Sequence, residues 1–344
     1  MLVRALTMMY DSVVSEKDVS DELEISMKGL RSIGFPPWTV RVTLPNEVSP
    51  SLIHRLCSSE YLFSAYHDSV SDVKYEGLRE IMKCGNSFAA LLLSEWGEVS
   101  KASELLVRLV MDLGFEVAVR IGFSIGSYVE TPYYPLSTSR RYGASIALRY
   151  ADTALQAFRE SVSLSEAFRR LGGALKNVDS VVDSTFRNLG IPYLGIDLSL
   201  SPWMEESVVP LIEHVSGVSF PRTGSAWGLK TLNSMLANIA ETYNIKTLGF
   251  NEVMLPVGED NTLMRLVREG SLRLPHLTFL TAYCLVGVDM VALPGGREEV
   301  ENVLKDALAA HEVKKKTLGV RVIPSFNERE VTIPRFGSIP VIST

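Results

Sequence analysis

The stretch Met290-Val291-Ala292-Leu293 is apolar at every position and lies between Asp289 and Pro294. A short apolar run of this kind is typical of a strand that helices cover on both faces, as in parallel or mixed α/β sheets. Similar β-branched or apolar runs recur along the chain, and longer stretches with apolar residues at helical spacing separate them. The sequence therefore predicts an α/β fold.

The alternation of strand and helix signals continues without a linker or a low-complexity stretch. We therefore predict one α/β domain over residues 1–344, closed or nearly closed, with an open doubly wound sheet as the alternative. The predicted helices are Val19–Ile33, Val73–Cys84, Val99–Leu113, Leu164–Leu189, Gly228–Tyr243 and Arg297–His311. About ten strands are predicted, at Val3–Met8, Thr39–Leu44, Tyr61–Tyr66, Phe88–Leu93, Val117–Ser124, Ser145–Tyr150, Leu194–Leu200, Asn251–Val257, Val288–Pro294 and Gly319–Ser325.

Composition excludes several classes of protein. The net charge of -6 gives no overall attraction to nucleic acid, and no apolar run approaches the roughly 20 residues that span a membrane. Cys57, Cys84 and Cys284 are widely separated, which argues against a disulfide framework and favours a reducing cytoplasm. Gln156 is the only glutamine, a composition that is typical of heat-adapted proteins. We expect a cytoplasmic homo-oligomer that binds neither nucleic acid nor membrane.

Two pairs of polar residues are associated with predicted strands, and α/β folds place their ligands at strand ends. Asp197 and Ser199 alternate with apolar residues in the run Gly195–Pro202, so both side chains project to the same side. Asn251 and Glu252 open a later strand. Asp197 and Glu252 are therefore candidate acid–base catalysts, and Ser199 and Asn251 are candidate ligand-binding residues. In the alternative interpretation, all of these are outward or strand-end polar groups.

Other candidates would bind an anion. Arg222, Thr223, Gly224 and Ser225 precede a long predicted helix, whose first N–H groups can bind a phosphate or carboxylate, although an ordinary N-cap would look the same. The polar loop 130–143 carries three tyrosines together with Arg140 and Arg141, a composition that is typical of functional loops. Single arginines also interrupt otherwise apolar strands and need partners there, at Arg41, Arg120 and Arg321. If these arginines face one cavity, its interior is cationic.

The C-terminal half resembles a known family, the domain of unknown function 711 (uncharacterised protein family 0210). The matching segments lie in the family's order over residues 195–342. They are Gly195–Pro202 (family D-L-S-L-A-P), Thr223–Ser225 (T-H-G-T), Leu255–Asp260 (I-P-V-S-E-D), Gly270–Leu272 (G-S-L), Ala282–Pro294 (A-I-C-S-V-G-L-D-M-I-A-I-P), Val320–Pro324 (V-R-I-I-P) and Gly337–Val341 (G-x-x-P-V).

The resemblance implies a fold more than an activity. It implies a ten-stranded α/β barrel similar to that of pyruvate formate-lyase, built from two antiparallel half-barrels. It does not carry glycyl radical chemistry over, because Arg321–Phe326 lacks a glycine where those enzymes have one. Bacterial members are often encoded beside an amino-acid-sensing protein, which indicates amino-acid or carboxylate metabolism.

The sequence thus predicts an enzyme that acts on a small anionic metabolite inside the barrel. Arg321, Arg222 and the helix start would bind the anion, and Arg140 and Arg141 would close the entrance. The sequence does not identify a cofactor, and a metal ion on Asp197 and Glu252 stays an open alternative. A second alternative is a non-catalytic sensor of an amino acid or carboxylate, or an oligomeric partner protein.

Overall fold

The computed structural model describes residues 1–12, 14–46, 48–283 and 285–344, so that Cys284 lies outside the described residues. The described residues form the strands β1 (Leu2–Met9), β2 (Thr39–Thr43), β3 (Leu62–Tyr66), β4 (Ser87–Leu93), β5 (Ile121–Ile125), β6 (Gly143–Arg149), β7 (Tyr193–Asp197), β8 (Gly287–Leu293), β9 (Leu318–Pro324), β10 (Glu330–Ile333) and β11 (Gly337–Pro340).

The described helices are α1 (Glu16–Ser32), α2 (Pro50–Cys57), α3 (Tyr75–Met82), α4 (Val99–Leu113), α5 (Ala151–Arg159), α6 (Leu164–Asn188), α7 (Val209–Ser216), α8 (Ser225–Thr242), α9 (Asn261–Arg268), α10 (Leu274–Tyr283) and α11 (Arg297–Lys314). Within these ranges, no helix has the combined length and apolar character that crossing a bilayer requires. Ser163 caps α6 by accepting a hydrogen bond from the Glu166 N–H. The helices α2, α5, α7, α9 and α10 were not predicted, since eight to ten residues give little periodic signal, although α3, which has eight residues, was predicted.

A large, mostly parallel sheet confirms the predicted α/β class. Among the described residues it has nine strands in the order β7-β6-β1-β2-β3-β4-β5-β9-β8. Strands β1 to β5 are parallel to one another. The pairs β6–β7 and β8–β9 flank this block and run in the opposite direction. β10 and β11 form a separate hairpin.

Closure of the sheet into a barrel is not observed, and the two half-barrels are not confirmed. The edge strands β7 and β8 do not pair with each other within the described ranges. The predicted strand Asn251–Val257 is irregular at its start: Asn251 has a φ of 55°, and Gly249, just before it, has a φ of 97°, values that a regular strand does not adopt. Isolated bridges, such as Leu200 with Val253, join this segment to β7 and its continuation.

An inserted loop segment covers part of the inner face of the sheet and forms hydrogen bonds with polar side chains there. The inserted segment, Thr131–Ser137, is buried throughout. Its Pro132 carbonyl accepts hydrogen bonds from Arg41 and Thr7, and the Ser137 hydroxyl lies 2.7 Å from that of Thr43. The outer face packs against helices in the main hydrophobic core, to which Val42 and Phe63 belong.

Glycines on the inner face make room for the inserted segment. A Cβ at Gly122 would lie 2.6 Å from Leu136 Cδ2, and a Cβ at Gly319 would lie 2.4 Å from Leu136 Cδ1. Both distances are shorter than van der Waals contact, so a side chain at either position would displace Leu136.

Two expectations about the first half were wrong. Cys57 and Cys84 form a disulfide, although a disulfide framework was not expected. They are 27 residues apart in sequence, but each lies at or just beyond the C-terminal end of a helix, and the strands β2 and β3 that precede those helices are parallel neighbours. The predicted strand Val117–Ser124 begins too early, because Phe115–Arg120 is a 3-10 helix and β5 starts only at Ile121.

Candidate functional site

A cavity of about 350 Å³ lies on the inner face of the sheet. Residues of β1, β2 and β9 line it together with the inserted segment and with residues that follow β7 and precede α9. We call it the central cavity. Its charged lining residues are Arg4, Arg41, Glu116, Arg120, Glu259, Asp289, Arg321 and Arg335.

One carboxylate, that of Glu259, joins two arginines of the central cavity. Arg4 Nη2 lies 2.5 Å from Glu259 Oε2, and Arg321 Nη2 lies 2.8 Å from Glu259 Oε1. Arg321 also binds both oxygens of Asp289, which is its register partner on the neighbouring strand β8. Bidentate pairs of this kind are among the strongest hydrogen-bonded contacts in proteins.

The arginines set the protonation of Glu259. Burial alone would raise the pKa of this carboxyl, but Arg321 and Arg4 outweigh that effect and hold the pKa below its ordinary value. Glu259 is therefore ionised at neutral pH. Burial raises the pKa of Asp289, whose side chain is 28% exposed, while the adjacent Arg321 opposes that shift.

Arg41 differs from Arg4 and Arg321 because no carboxylate among the described residues lies within ion-pairing distance of it, although Glu259 is close enough to interact with it electrostatically. Its Nη1 donates to the Pro132 carbonyl at 2.8 Å and its Nε donates to Thr39 Oγ1 at 3.1 Å, while Nη2 has no described protein acceptor. Burial and the neighbouring Arg4 lower the pKa of Arg41 to about 10. The guanidinium is therefore charged at neutral pH, buried, and only partly compensated.

Aromatic rings surround these charges. Arg41 lies 5.1 Å from the ring centre of Tyr134, and Arg4 lies 5.3 Å from that of Trp203. The rings of Trp203 and Trp38 meet edge to face at 4.5 Å, and Trp38 is 48% exposed. The central cavity therefore has an aromatic wall that reaches solvent.

Asp197 does not line the central cavity. Its Oδ1 accepts hydrogen bonds from the Ser199 hydroxyl at 2.6 Å and from the Ser199 and Asn251 N–H groups. Its Oδ2 accepts from the Phe250 N–H and from Thr131 Oγ1. We call this group the Asp197 cluster. Asp197 and Ser199 do converge as predicted, but the carboxylate binds irregular backbone and the inserted segment.

Glu252 and Asn251 also lie outside the lining of the central cavity. Glu252 forms ion pairs with Lys314 at 2.5 Å and Lys316 at 2.8 Å. Asn251 Oδ1 accepts from the Leu198 N–H, which holds the irregular segment against the residues after β7. Among the described residues, no group of three or more histidine, cysteine, aspartate or glutamate side chains could hold a metal ion.

The predicted helix start lies in a different place from Arg321. Arg222, Thr223, Gly224 and Ser225 line a separate surface groove beside His276 and Phe279. Arg140 and Arg141 are exposed: Arg141 pairs with Glu130 at 2.8 Å, and the Arg140 N–H donates to the same carboxylate. The structure therefore does not bring these residues to the central cavity.

The central cavity contains one of the residues predicted for the site, Arg321. It also contains Arg41 and Arg120, two other arginines that interrupt predicted strands. Sequence reasoning missed Arg4, Asp289 and Glu259 as site residues. Arg4 gives the same signal as Arg321, a charge within an otherwise apolar strand. Glu259 gives no such signal, because it follows an irregular segment.

Comparison with known proteins identifies the family. The model of the family described as Uncharacterised ACR (DUF711) matches residues 130–330, which is more than half of the chain. A UPF0210 protein of Desulforudis audaxviator is 30% identical over 182 residues, which are 52% of this chain and 40% of that protein. A UPF0210 protein of Lactobacillus helveticus is 32% identical over 155 residues, 44% of this chain and 35% of that protein.

The match extends to an archaeal relative. A UPF0210 protein of Methanococcoides burtonii is 28% identical over 181 residues, 51% of this chain and 40% of that protein. The chain thus spans about two fifths of the length of these curated relatives. The matched region contains the inserted segment, the Asp197 cluster, Glu259 and Arg321. The chain belongs to the DUF711 family, whose curated members are named UPF0210 proteins.

Proposed function

We propose that this protein binds a small anionic metabolite, a carboxylate or a phosphate, in the central cavity and acts on it as an enzyme. The observation that carries the proposal is the state of Arg41. A buried charge costs several kcal/mol unless a counter-charge or hydrogen bonds compensate it. Arg41 has two hydrogen bonds and no carboxylate within ion-pairing distance among the described residues, and the nearby Glu259 is already ion-paired with Arg4 and Arg321. An anionic ligand on Arg41 would supply the missing counter-charge.

Asp289 is the acid–base group that best fits this proposal. It lines the central cavity, its side chain is 28% exposed, and it lies against Arg321. A carboxylate that reaches the ligand space can exchange a proton with a bound molecule. Asp197 and Glu252 fit the role less well, because neither lines the central cavity.

We also propose that residues 247–260 complete the ring of strands and so give two half-barrels of opposite direction. Bridges join Thr247 and Val253 to the β7 side of the gap. On the other side, a Cβ at Gly258 would lie 3.1 Å from Met290 Cε of β8, and Glu259 binds Arg321 of β9. This segment would therefore separate the central cavity from bulk water, which strengthens its electrostatic contacts.

Ligand binding tests the proposal. We would measure the melting temperature of the full chain with a panel of small carboxylates and phosphates, because a ligand that binds the folded state raises it. We expect stabilisation by at least one anion in the wild type and its loss in Arg41→Met. The matched control is Arg222→Met, in the surface groove. Loss in Arg222→Met with retention in Arg41→Met would contradict the central cavity as the site.

A binding protein without catalysis is the second candidate function, and one observation favours it. The carboxylates of Glu259 and Asp289, which line the central cavity, both form ion pairs with Arg321. These ion pairs compete with proton transfer to a ligand. NMR of a bound compound over hours separates the two functions. Consumption in the wild type, with Asp289→Asn retaining binding but losing turnover, supports the enzyme. An unchanged compound supports a sensor.

A further inference from the structure

Much of the lining of the central cavity is apolar or aromatic. A ligand that lacks an apolar part would leave this apolar surface in contact with water. A ligand with an apolar tail would cover it, and binding would gain about 25 cal/mol for each Å² of apolar surface buried. The volume of about 350 Å³ falls at the lower end of the range for small-molecule sites. The apolar lining includes Trp38, Phe88, Leu136, Trp203, Val286 and Phe336.

The charges grouped around Glu259 leave one positive charge in excess. Arg4, Arg41 and Arg321 contribute three positive charges, and Glu259 and Asp289 contribute two negative ones. A ligand with one negative charge would balance this set. A phosphate monoester carries about 1.5 to 2 negative charges near pH 7, which is more than this group would balance.

Of the other charged lining residues, Arg120 is also buried and adds a positive charge, but it is hydrogen-bonded apart from the group around Glu259. The Arg120 guanidinium donates to the backbone carbonyls of Met82, Cys84 and Ser87. Glu116 is partly exposed and Arg335 is exposed, so water and salt screen their charges.

We infer that the ligand of the central cavity is a monocarboxylate with an aromatic or similarly bulky apolar tail. This inference rests on the proposed function and narrows its ligand class. The carboxylate binds Arg41 Nη2 beside the Arg4–Glu259–Arg321 group, and the tail lies against the aromatic wall of Trp38 and Trp203.

Calorimetric titration with five matched probes tests tail and charge separately. The probes are 3-phenylpropanoate, 3-phenylpropanamide, phenyl phosphate, acetate and succinate. We expect 3-phenylpropanoate to bind the wild-type chain at least about tenfold more tightly than each of the others, a difference of about 1.4 kcal/mol. Arg41→Met should remove the preference for the carboxylate over the amide, because the two probes differ only in the group that Arg41 recognises.

Asp289→Asn tests the charge balance. It removes one negative charge, so the preference should shift towards phenyl phosphate by about tenfold or less.

Tighter binding of phenyl phosphate or succinate than of 3-phenylpropanoate, lost in Arg41→Met, overturns this inference and leaves the proposed function standing. Anion binding that Arg41→Met does not weaken overturns the proposed function itself. Circular dichroism of both variants shows whether they fold, and Arg41→Lys provides a second, more conservative test of the same contact.

Discussion

The Asp197 cluster and the central cavity both contain buried charge, yet they are built in different ways. Asp197 accepts five hydrogen bonds, from two hydroxyls and three backbone N–H groups. Arg41 donates two hydrogen bonds, and Nη2 has no acceptor in the described part of the chain. The Asp197 carboxylate is thus fully coordinated by the protein, whereas the Arg41 guanidinium is not.

This difference suggests different roles: the Asp197 carboxylate stabilises the fold, whereas the Arg41 guanidinium is available to bind a ligand. A fully coordinated buried carboxylate fixes the backbone that donates to it, here Phe250 and Asn251 of the irregular segment and Thr131 of the inserted segment. A partly coordinated buried guanidinium fixes little backbone and costs free energy until an anion binds. Substitutions should therefore move folding stability in one region and ligand affinity in the other.

The largest effect is expected for Asp197→Ala. Its five donors would be left in a buried place, and breaking such a group typically costs about 3–5 kcal/mol. We expect a loss of about 4 kcal/mol in the free energy of unfolding, measured by denaturant titration. Ser199→Ala, which removes one of the five donors, is the matched control and should cost about 1 kcal/mol. A loss in Asp197→Ala no larger than that control would contradict the structural role.

Glu259→Gln should have the next largest effect. An amide cannot neutralise Arg4 and Arg321, so two buried guanidinium groups would lose their shared counter-charge. We expect a loss of about 3 kcal/mol in the free energy of unfolding. A small carboxylate should restore part of that stability in the variant, seen as a larger rise in melting temperature than in the wild type. A variant as stable as the wild type would show that the shared counter-charge is not needed.

The pH dependence of stability should have opposite signs in the two regions. Burial raises the pKa of Asp197 above its ordinary 3.8, so this group favours the folded state at low pH and loses that contribution as pH rises through its folded pKa. Glu259 has a pKa below its ordinary 4.5, so it contributes stability above pH 4.5 that is lost as pH falls. Unfolding from pH 7 to pH 3 measures both, at about 1.4 kcal/mol for each unit of pKa shift. As pH falls, the gap between wild type and Asp197→Asn should widen, while the gap to Glu259→Gln should narrow.

The fold class could be predicted from the sequence because it depends on local patterns of apolar residues. The run Met290–Leu293 lies in β8 and the run Phe88–Leu93 lies in β4, as predicted. The predicted strand at Asn251–Val257 failed, because its φ angles depend on hydrogen bonds to Asp197, more than 50 residues away. An apolar pattern does not report a tertiary constraint of that kind.

The sequence predicted a residue of the central cavity only where a single charged residue interrupts an apolar strand. Arg321 is a charge in an apolar strand, which signals a buried partner wherever that partner lies. The partner itself, Glu259, was not predictable, and Arg4 binds Glu259 across 255 residues of sequence. Two tyrosines of the loop 130–143, Tyr133 and Tyr134, line the central cavity, and the functional role of this loop stays a prediction. Its arginines, Arg140 and Arg141, are exposed and lie outside the cavity lining.

Arg41→Met should have the smallest effect on stability. It therefore tests whether Arg41, unlike Asp197, contributes little to folding. The variant loses hydrogen bonds to Pro132 and Thr39, but it also removes a buried charge without a described counter-charge. These terms oppose each other, and we expect a change of less than about 1 kcal/mol in the free energy of unfolding without ligand. With a bound anion, the wild type alone should gain stability. The measurement is denaturant unfolding of both proteins, with and without 3-phenylpropanoate. A loss in Arg41→Met as large as that in Asp197→Ala would show that Arg41 is a structural charge, and the distinction between the two regions would then fail.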